Sequence, residues 1–128
     1  MRDAETGNYW STTFQPTLHR PEKYEAIFSE GRAEFRRRDF DLDSHAEIVV
    51  SPEDDIELRR VKITNITRSE RIIDVTSYAE IVLAPGPSDL SHQAFSNLFV
   101  QTEIIPERQA IIASRRPRSE GERPPWMF

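Results

Sequence analysis

The sequence contains no cysteine, which excludes a disulfide framework, thiolate zinc sites and a cysteine nucleophile. The same absence is compatible with a reducing compartment. Glycine is scarce, with four in 128 residues, so no glycine-rich loop is available to cradle a phosphate. No run approaches the ~20 apolar residues that cross a bilayer, so this segment reads as cytoplasmic and without direct membrane insertion. The opening residues, Met1-Arg2-Asp3-Ala4-Glu5, lack the apolar stretch of a signal peptide and look like a start placed before an internal segment. Positive charge is not in excess either. A net charge of -5 and a pI near 5.2 give no overall field that would gather nucleic acid.

What the chain does have is strand-like alternation. At 37% hydrophobic and 30% charged residues it is a globular composition with a modest core, long enough for one domain or part of one. From Phe40 to Val50 the even positions run Phe40, Leu42, Ser44, Ala46, Ile48, Val50, while Asp41, Asp43, His45 and Glu47 fall between them. That is a half-buried strand with one wet face. Tyr24, Ala26 and Phe28, then Ala33 and Phe35, flank the turn residues Ser29-Glu30-Gly31, and the pair reads as a hairpin. Ile56 and Leu58 are even but Val61 and Ile63 odd, a change of phase that predicts a β-bulge near Arg59-Arg60. Ile73, Val75, Ser77, Ala79, Ile81 and Leu83 predict one long strand, closed by Ala84-Pro85-Gly86-Pro87. Residues 88–97 read as a loop with a short helical turn. Leu98–Ile105 and Gln109–Ser114 read as two strands around Pro106-Glu107. The expected organisation is an antiparallel all-β sandwich over residues 1–114, without substantial helix, followed by a Pro/Arg-rich tail or truncated linker over 115–128.

Catalytic chemistry finds little support in this pattern. His19, His45 and His92 are far apart and none forms an i,i+4 pair; His45, between Asp43 and Glu47 on a polar strand face, reads as exposed rather than as a metal ligand. Asp41 and Asp43 on one strand face would stand ~6.5–7 Å apart, yet facing solvent they gain no separation of pKa. No G-x-S-x-G elbow accompanies the serines. The runs Arg36-Arg37-Arg38 and Arg59-Arg60 split between opposite sheet faces and read as salt-bridged surface. No catalytic residue, metal ligand or cofactor site is therefore assigned. The aromatic residues Tyr9, Trp10 and Phe95, with His92 and Asn97, place flat apolar groups beside polar ones. Such groups suit the apolar C–H face and polar edges of a sugar ring, although rings that merely pack the ends of a sandwich would read the same way.

Several stretches resemble a known family. Arg2-Asp3-Ala4-Glu5-Thr6-Gly7-Asn8-Tyr9-Trp10-Ser11 resembles the entry strand of the β-supersandwich domain in cellobiose-phosphorylase-type enzymes, with cyclic β-1,2-glucan synthases the nearest. Arg59-Arg60-Val61-Lys62-Ile63-Thr64-Asn65 and Val75-Thr76-Ser77-Tyr78-Ala79-Glu80 are similar to its central strands. The most specific likeness is Ala94-Phe95-Ser96-Asn97-Leu98-Phe99-Val100-Gln101-Thr102-Glu103, continuing to Pro106-Glu107 and Arg115-Arg116-Pro117-Arg118.

The resemblance implies a galactose-mutarotase-like supersandwich fold of which this chain supplies a part. In that family the catalytic groups belong to an (α/α)₆ barrel that follows the sandwich, so no catalytic residue carries over to any position here. It further implies a parent enzyme acting on β-linked glucans, with glycosyltransferase and phosphorylase-like regions and an anchor in the bacterial inner membrane. The expected partners are a β-glucan or oligosaccharide and the parent's barrel, with no nucleic acid. A sandwich cut partway leaves uncovered strand edges, so self-association is expected as well. A stand-alone carbohydrate-binding module and a purely structural or oligomerisation module are the rival readings.

Overall fold

The computed structural model describes every residue except His92, Arg118 and Pro124, with the backbone alone of Gln93. The chain divides into two compact units, Met1–Ser77 and Tyr78–Phe128. Every paired strand is antiparallel, and the chain is all-β apart from short helical turns.

The first unit is dominated by a four-stranded meander of β2 (Lys23–Ser29), β3 (Arg32–Asp39), β4 (Leu42–Val50) and β5 (Glu57–Asn65), in that spatial order. Directly opposed residues share a face, so the register sorts the side chains into two surfaces. Tyr24, Ala26 and Phe28 align with Arg37, Phe35 and Ala33, and these with Ser44, Ala46 and Ile48. This apolar face buries Leu42 and Ala46, while Phe28 at its rim is 73% exposed. A second, two-stranded sheet pairs β1 (Arg2–Asp3) with β6 (Ile73–Asp74). Between β1 and β2, Trp10 is buried to 1% exposure.

Three sequence expectations change here. Residues Phe40 and Asp41 are not strand but the two-residue turn joining β3 to β4, both with left-handed φ (50° and 59°). Such a turn matches the twist of the flanking strands, which an extended Phe40 would not allow. The bulge near Arg59-Arg60 is absent, because the β4–β5 register runs unbroken from Leu42↔Asn65 to Val50↔Glu57. Leu58 and Val61 are both exposed, at 65% and 43%, so neither face of β5 is buried enough to impose one apolar phase. Finally, the long strand from Ile73 to Leu83 shrinks to Ile73–Asp74. Alternation marks a face, but a strand also needs a partner for its N–H and C=O groups; β1 offers partners to only two residues.

The second unit holds α1 (Gly86–Ser91), α2 (Gln93–Asn97), β7 (Val100–Ile105), a 3₁₀ turn (Pro106–Arg108), β8 (Ala110–Arg115) and β9 (Trp126–Met127). Strand β8 lies between β7 and β9. Part of the segment read as a tail thus closes a sheet, with Trp126 opposite Ser114 and Met127 opposite Ala113. Two paired residues are too few to produce a period.

Candidate functional site

Two features of the first unit carry polar chemistry. One surrounds the Phe40-Asp41 turn. A bulky side chain in the left-handed region is a backbone outlier that only its surroundings can hold. Here the Phe40 N–H donates to Glu22 Oε1 at 3.0 Å, and its carbonyl accepts from an Arg71 terminal nitrogen at 3.1 Å. Its ring meets Trp10 at 5.4 Å and stacks on His19 at 5.0 Å. Beside it, Gly7, Asn8, Tyr9, Thr17, His19 and Phe40 line a shallow recess of about 280 Å³.

Two ion pairs, one buried and one partly buried, brace that recess. Asp3 is fully buried and accepts the Glu5 and Thr6 N–H groups at 2.9 and 3.0 Å, while Arg71 bonds its other oxygen. The Thr6 N–H and the Arg71 guanidinium favour the ionised form against the desolvation that opposes it, and hold the Asp3 carboxyl at about 2. Arg37 and Asp39, both buried, form a forked pair at 2.6 and 2.7 Å. Arg37 also donates to the Thr13 and His19 carbonyls, which ties the chain between β1 and β2 to the sheet. Neither pair was legible in the sequence: Asp3 and Arg71 lie 68 positions apart, and an Arg on an apolar strand face carries no signal of its partner.

The other feature is the polar face of the meander. Lys23, Arg38, Asp43 and Thr64 form one cross-strand row, and Glu25, Arg36, His45 and Lys62 the next; Ile27, Glu34, Glu47 and Arg60 follow. Arg38 forks onto Asp43 at 2.6 and 2.8 Å. His45 Nε2 lies 2.8 Å from Glu34, and Arg32 and Arg60 both bond Glu47. The carboxyls of Glu34, Asp43 and Glu47 are held below their ordinary range chiefly by His45, Arg38 and Arg60 respectively. That keeps them ionised, whereas a glycosidase acid needs the opposite shift.

Glu34, His45 and Glu47 offer donor atoms within 4.8 Å of one another. By type they suit a divalent cation, but guanidinium groups already occupy both carboxylates, so an ion would have to displace them. The neighbour of His45 is Glu34 on β3 rather than Asp43, which Arg38 takes. Asp41 sits in the turn and Asp43 on β4, so the two do not share a strand face as expected.

The five residues considered for sugar contact fall in different places. Tyr9 is 66% exposed and lines the recess. Trp10, its neighbour, is a core residue, so its ring offers no platform to a ligand; alternation of exposure along an irregular segment is not visible in composition. Phe95 and Asn97 lie on α2 in the second unit, both exposed, and His92 lies outside the described residues. There Phe95 meets Phe99 edge-on at 5.3 Å, and the guanidinium groups of Arg115 and Arg116 lie 5.5 and 5.3 Å from the Phe99 ring. Arg115, buried, bonds the carbonyls of Val82 and Ser96 and the Ser96 hydroxyl. This cluster holds α2 against β8. Asn8, Thr17 and Phe40 were not singled out from the sequence, and His19 was weighed only as a metal ligand and set aside; only the paired aspartates around Phe40, a residue type tolerant of left-handed turns, hinted at the turn.

Comparison with known proteins agrees with this architecture. The sequence matches the glycosyl hydrolase 94 supersandwich domain over residues 1–128. Cyclic beta-(1,2)-glucan synthase NdvB of Rhizobium meliloti is 43% identical over 122 residues, which is 95% of this chain and 4% of that protein. Solabiose phosphorylase of Paenibacillus borealis is 27% identical over 128 residues, 100% of this chain and 16% of that enzyme. A 3-O-beta-D-glucopyranosyl-beta-D-glucuronide phosphorylase of the same organism is 35% identical over 65 residues, 51% of this chain and 8% of that enzyme. The chain thus spans only a small part of the length of each relative. With a match along its whole length and antiparallel sheets throughout, this chain belongs to the glycosyl hydrolase 94 supersandwich domain family.

Proposed function

We propose that this chain is a non-catalytic domain of a larger enzyme that processes β-linked glucans, of the cyclic glucan synthase or glycoside phosphorylase kind. It supports a catalytic (α/α)₆ barrel and presents a surface that meets glucan. The observation that carries the reading is electrostatic. The carboxylates on a broad hollow of the meander, about 440 Å³ and lined by Lys23, Arg36, Arg38, Asp43 and His45 among others, face guanidinium partners. A hydrolytic or phosphorolytic site needs a carboxylic acid kept protonated beside the scissile bond, and Asp43, held low by Arg38, is the reverse. Relatives named as a glucan synthase and as phosphorylases support the substrate class.

The test is turnover by the isolated chain. Incubated with cellobiose or a β-(1,2)-glucan and inorganic phosphate, it is expected to release no glucose 1-phosphate above the buffer rate. Release that scales with protein concentration would overturn the reading. A stand-alone carbohydrate-binding module is the second reading, favoured by the exposed Tyr9 ring beside Asn8 and Thr17.

A further inference from the structure

We propose that the recess beside the Phe40-Asp41 turn is a site for one neutral pyranose ring of a glucan. The inference rests on the glucan-processing reading for the identity of the sugar, and on the recess itself for everything else. Four properties converge there. The first is scale: at about 280 Å³ the recess falls just under the roughly 300–1,000 Å³ of pockets that take drug-sized ligands, which suits one ring and not an oligomer. The second is apolar surface. Tyr9 presents an exposed ring, and the stacked rings of Phe40 and His19 belong to residues that also line the recess. An aromatic face is what the axial C–H face of a sugar packs against.

The third property is hydrogen-bond capacity of both kinds. Ser11 Oγ donates its only proton to the Thr13 carbonyl at 2.6 Å. In the 3.0 Å contact between Ser11 Oγ and Thr17 Oγ1, Thr17 must therefore be the donor. Thr17 Oγ1 also accepts the Ser11 N–H at 3.1 Å. Its proton is thus committed, and what it retains for a ligand is one lone pair. The Asn8 carboxamide, with no side-chain bond among the described residues, supplies both a donor and an acceptor. Vicinal sugar hydroxyls need this mixture, each giving one proton and accepting another. The fourth is charge. The lining holds no carboxylate, lysine or arginine, and its imidazole, His19, already faces the buried Asp39 carboxylate at 3.5 Å, so the recess suits a neutral ring.

The Phe40 turn explains why the recess is ready-made. Its strained backbone is pinned by Glu22 at the N–H and by Arg71 at the carbonyl, and its ring by Trp10 and His19. A position held from four sides loses little freedom when a ligand arrives.

The experiment is an amide chemical-shift titration of the chain with glucose and with a linear β-(1,2)-linked gluco-oligosaccharide. Saturable shifts are expected at Gly7, Asn8, Tyr9, Thr17, His19 and Phe40. Tyr9→Ala and Asn8→Ala, both at exposed or half-exposed positions, are each expected to weaken binding roughly tenfold. Tyr9→Phe should keep most of the affinity, and Leu90→Ala, in the second unit, all of it. Absence of shifts at these residues, or binding untouched by Tyr9→Ala in a variant with unchanged far-UV circular dichroism, overturns the proposal. Shifts confined to Phe95 and Asn97 overturn the recess while leaving a glucan-meeting surface intact. Release of glucose 1-phosphate would overturn the non-catalytic reading without bearing on the recess.

Discussion

At the scale of single residues, the first unit buries several charged side chains. Asp3, Arg37 and Asp39 are more completely buried than any apolar side chain of the first unit except Trp10 and Leu42. Removing one partner of a buried pair leaves the other uncompensated. Arg37→Ala is therefore expected to cost about 3–5 kcal/mol, read from the shift in urea midpoint, and Arg37→Met with Asp39→Leu together should cost less than either alone. A pH dependence follows from Asp3. Its folded value of about 2 lies below the ordinary 3.8, so its stabilising contribution is complete above the unfolded value and is lost as pH falls toward the folded one. Thermal midpoints should fall between about pH 4 and pH 2 and be flatter over that range in Asp3→Asn, which lowers stability at neutral pH instead. An equal acid slope in both proteins would assign the loss to Glu34, Asp43 and Glu47, whose carboxyls are also held low.

At the scale of elements, the meander was the legible part. Its hairpins announce themselves through alternation and through Gly31, whose φ of 66° suits the β2–β3 turn. A methyl group there meets only the Val50 carbonyl at 3.6 Å, an ordinary contact, so the penalty in Gly31→Ala is conformational. It should amount to about 1–2 kcal/mol, measured by equilibrium denaturation with an unchanged m-value. Strand β5 and the stretch after Ile73 were misjudged for a common reason. Periodicity reports which side chains would face a core, but it does not report whether a core or a ladder partner is there. In β5 the apolar side chains of the two phases are exposed or half-buried, and among the described residues beyond Asp74 no strand occurs before Val100. The Trp10 ring shows the converse, since its neighbours Tyr9 and Ser11 gave no sign of its burial.

At the scale of the whole molecule, many large apolar side chains are exposed. Phe28 and Leu58 are 73% and 65% exposed and lie on β2 and β5, the two outer strands of the meander. Outer strands offer unpaired backbone groups, and apolar side chains make that offer attractive to another strand. Sedimentation at high micromolar concentration is expected to show reversible association, reduced in Leu58→Lys, where a charge on the outer strand opposes pairing. A strictly monomeric profile would count against it. No described helix is long and apolar enough to cross a membrane.

The sequence by itself determined that this protein is antiparallel and all-β, which stretches pair as hairpins, and which family it belongs to. The first two follow from residue patterns repeated every second position and from local turn chemistry, both of which act between near neighbours in the chain; the third follows from likeness of sequence along the whole chain. Only the tertiary structure decided where charge is buried, which aromatic ring is core and which is accessible, and that Asn8, Tyr9, Thr17, His19 and Phe40 border one recess. Those depend on contacts between residues far apart in sequence, such as Asp3 with Arg71 and Arg37 with Thr13, and no local pattern encodes a partner that distant.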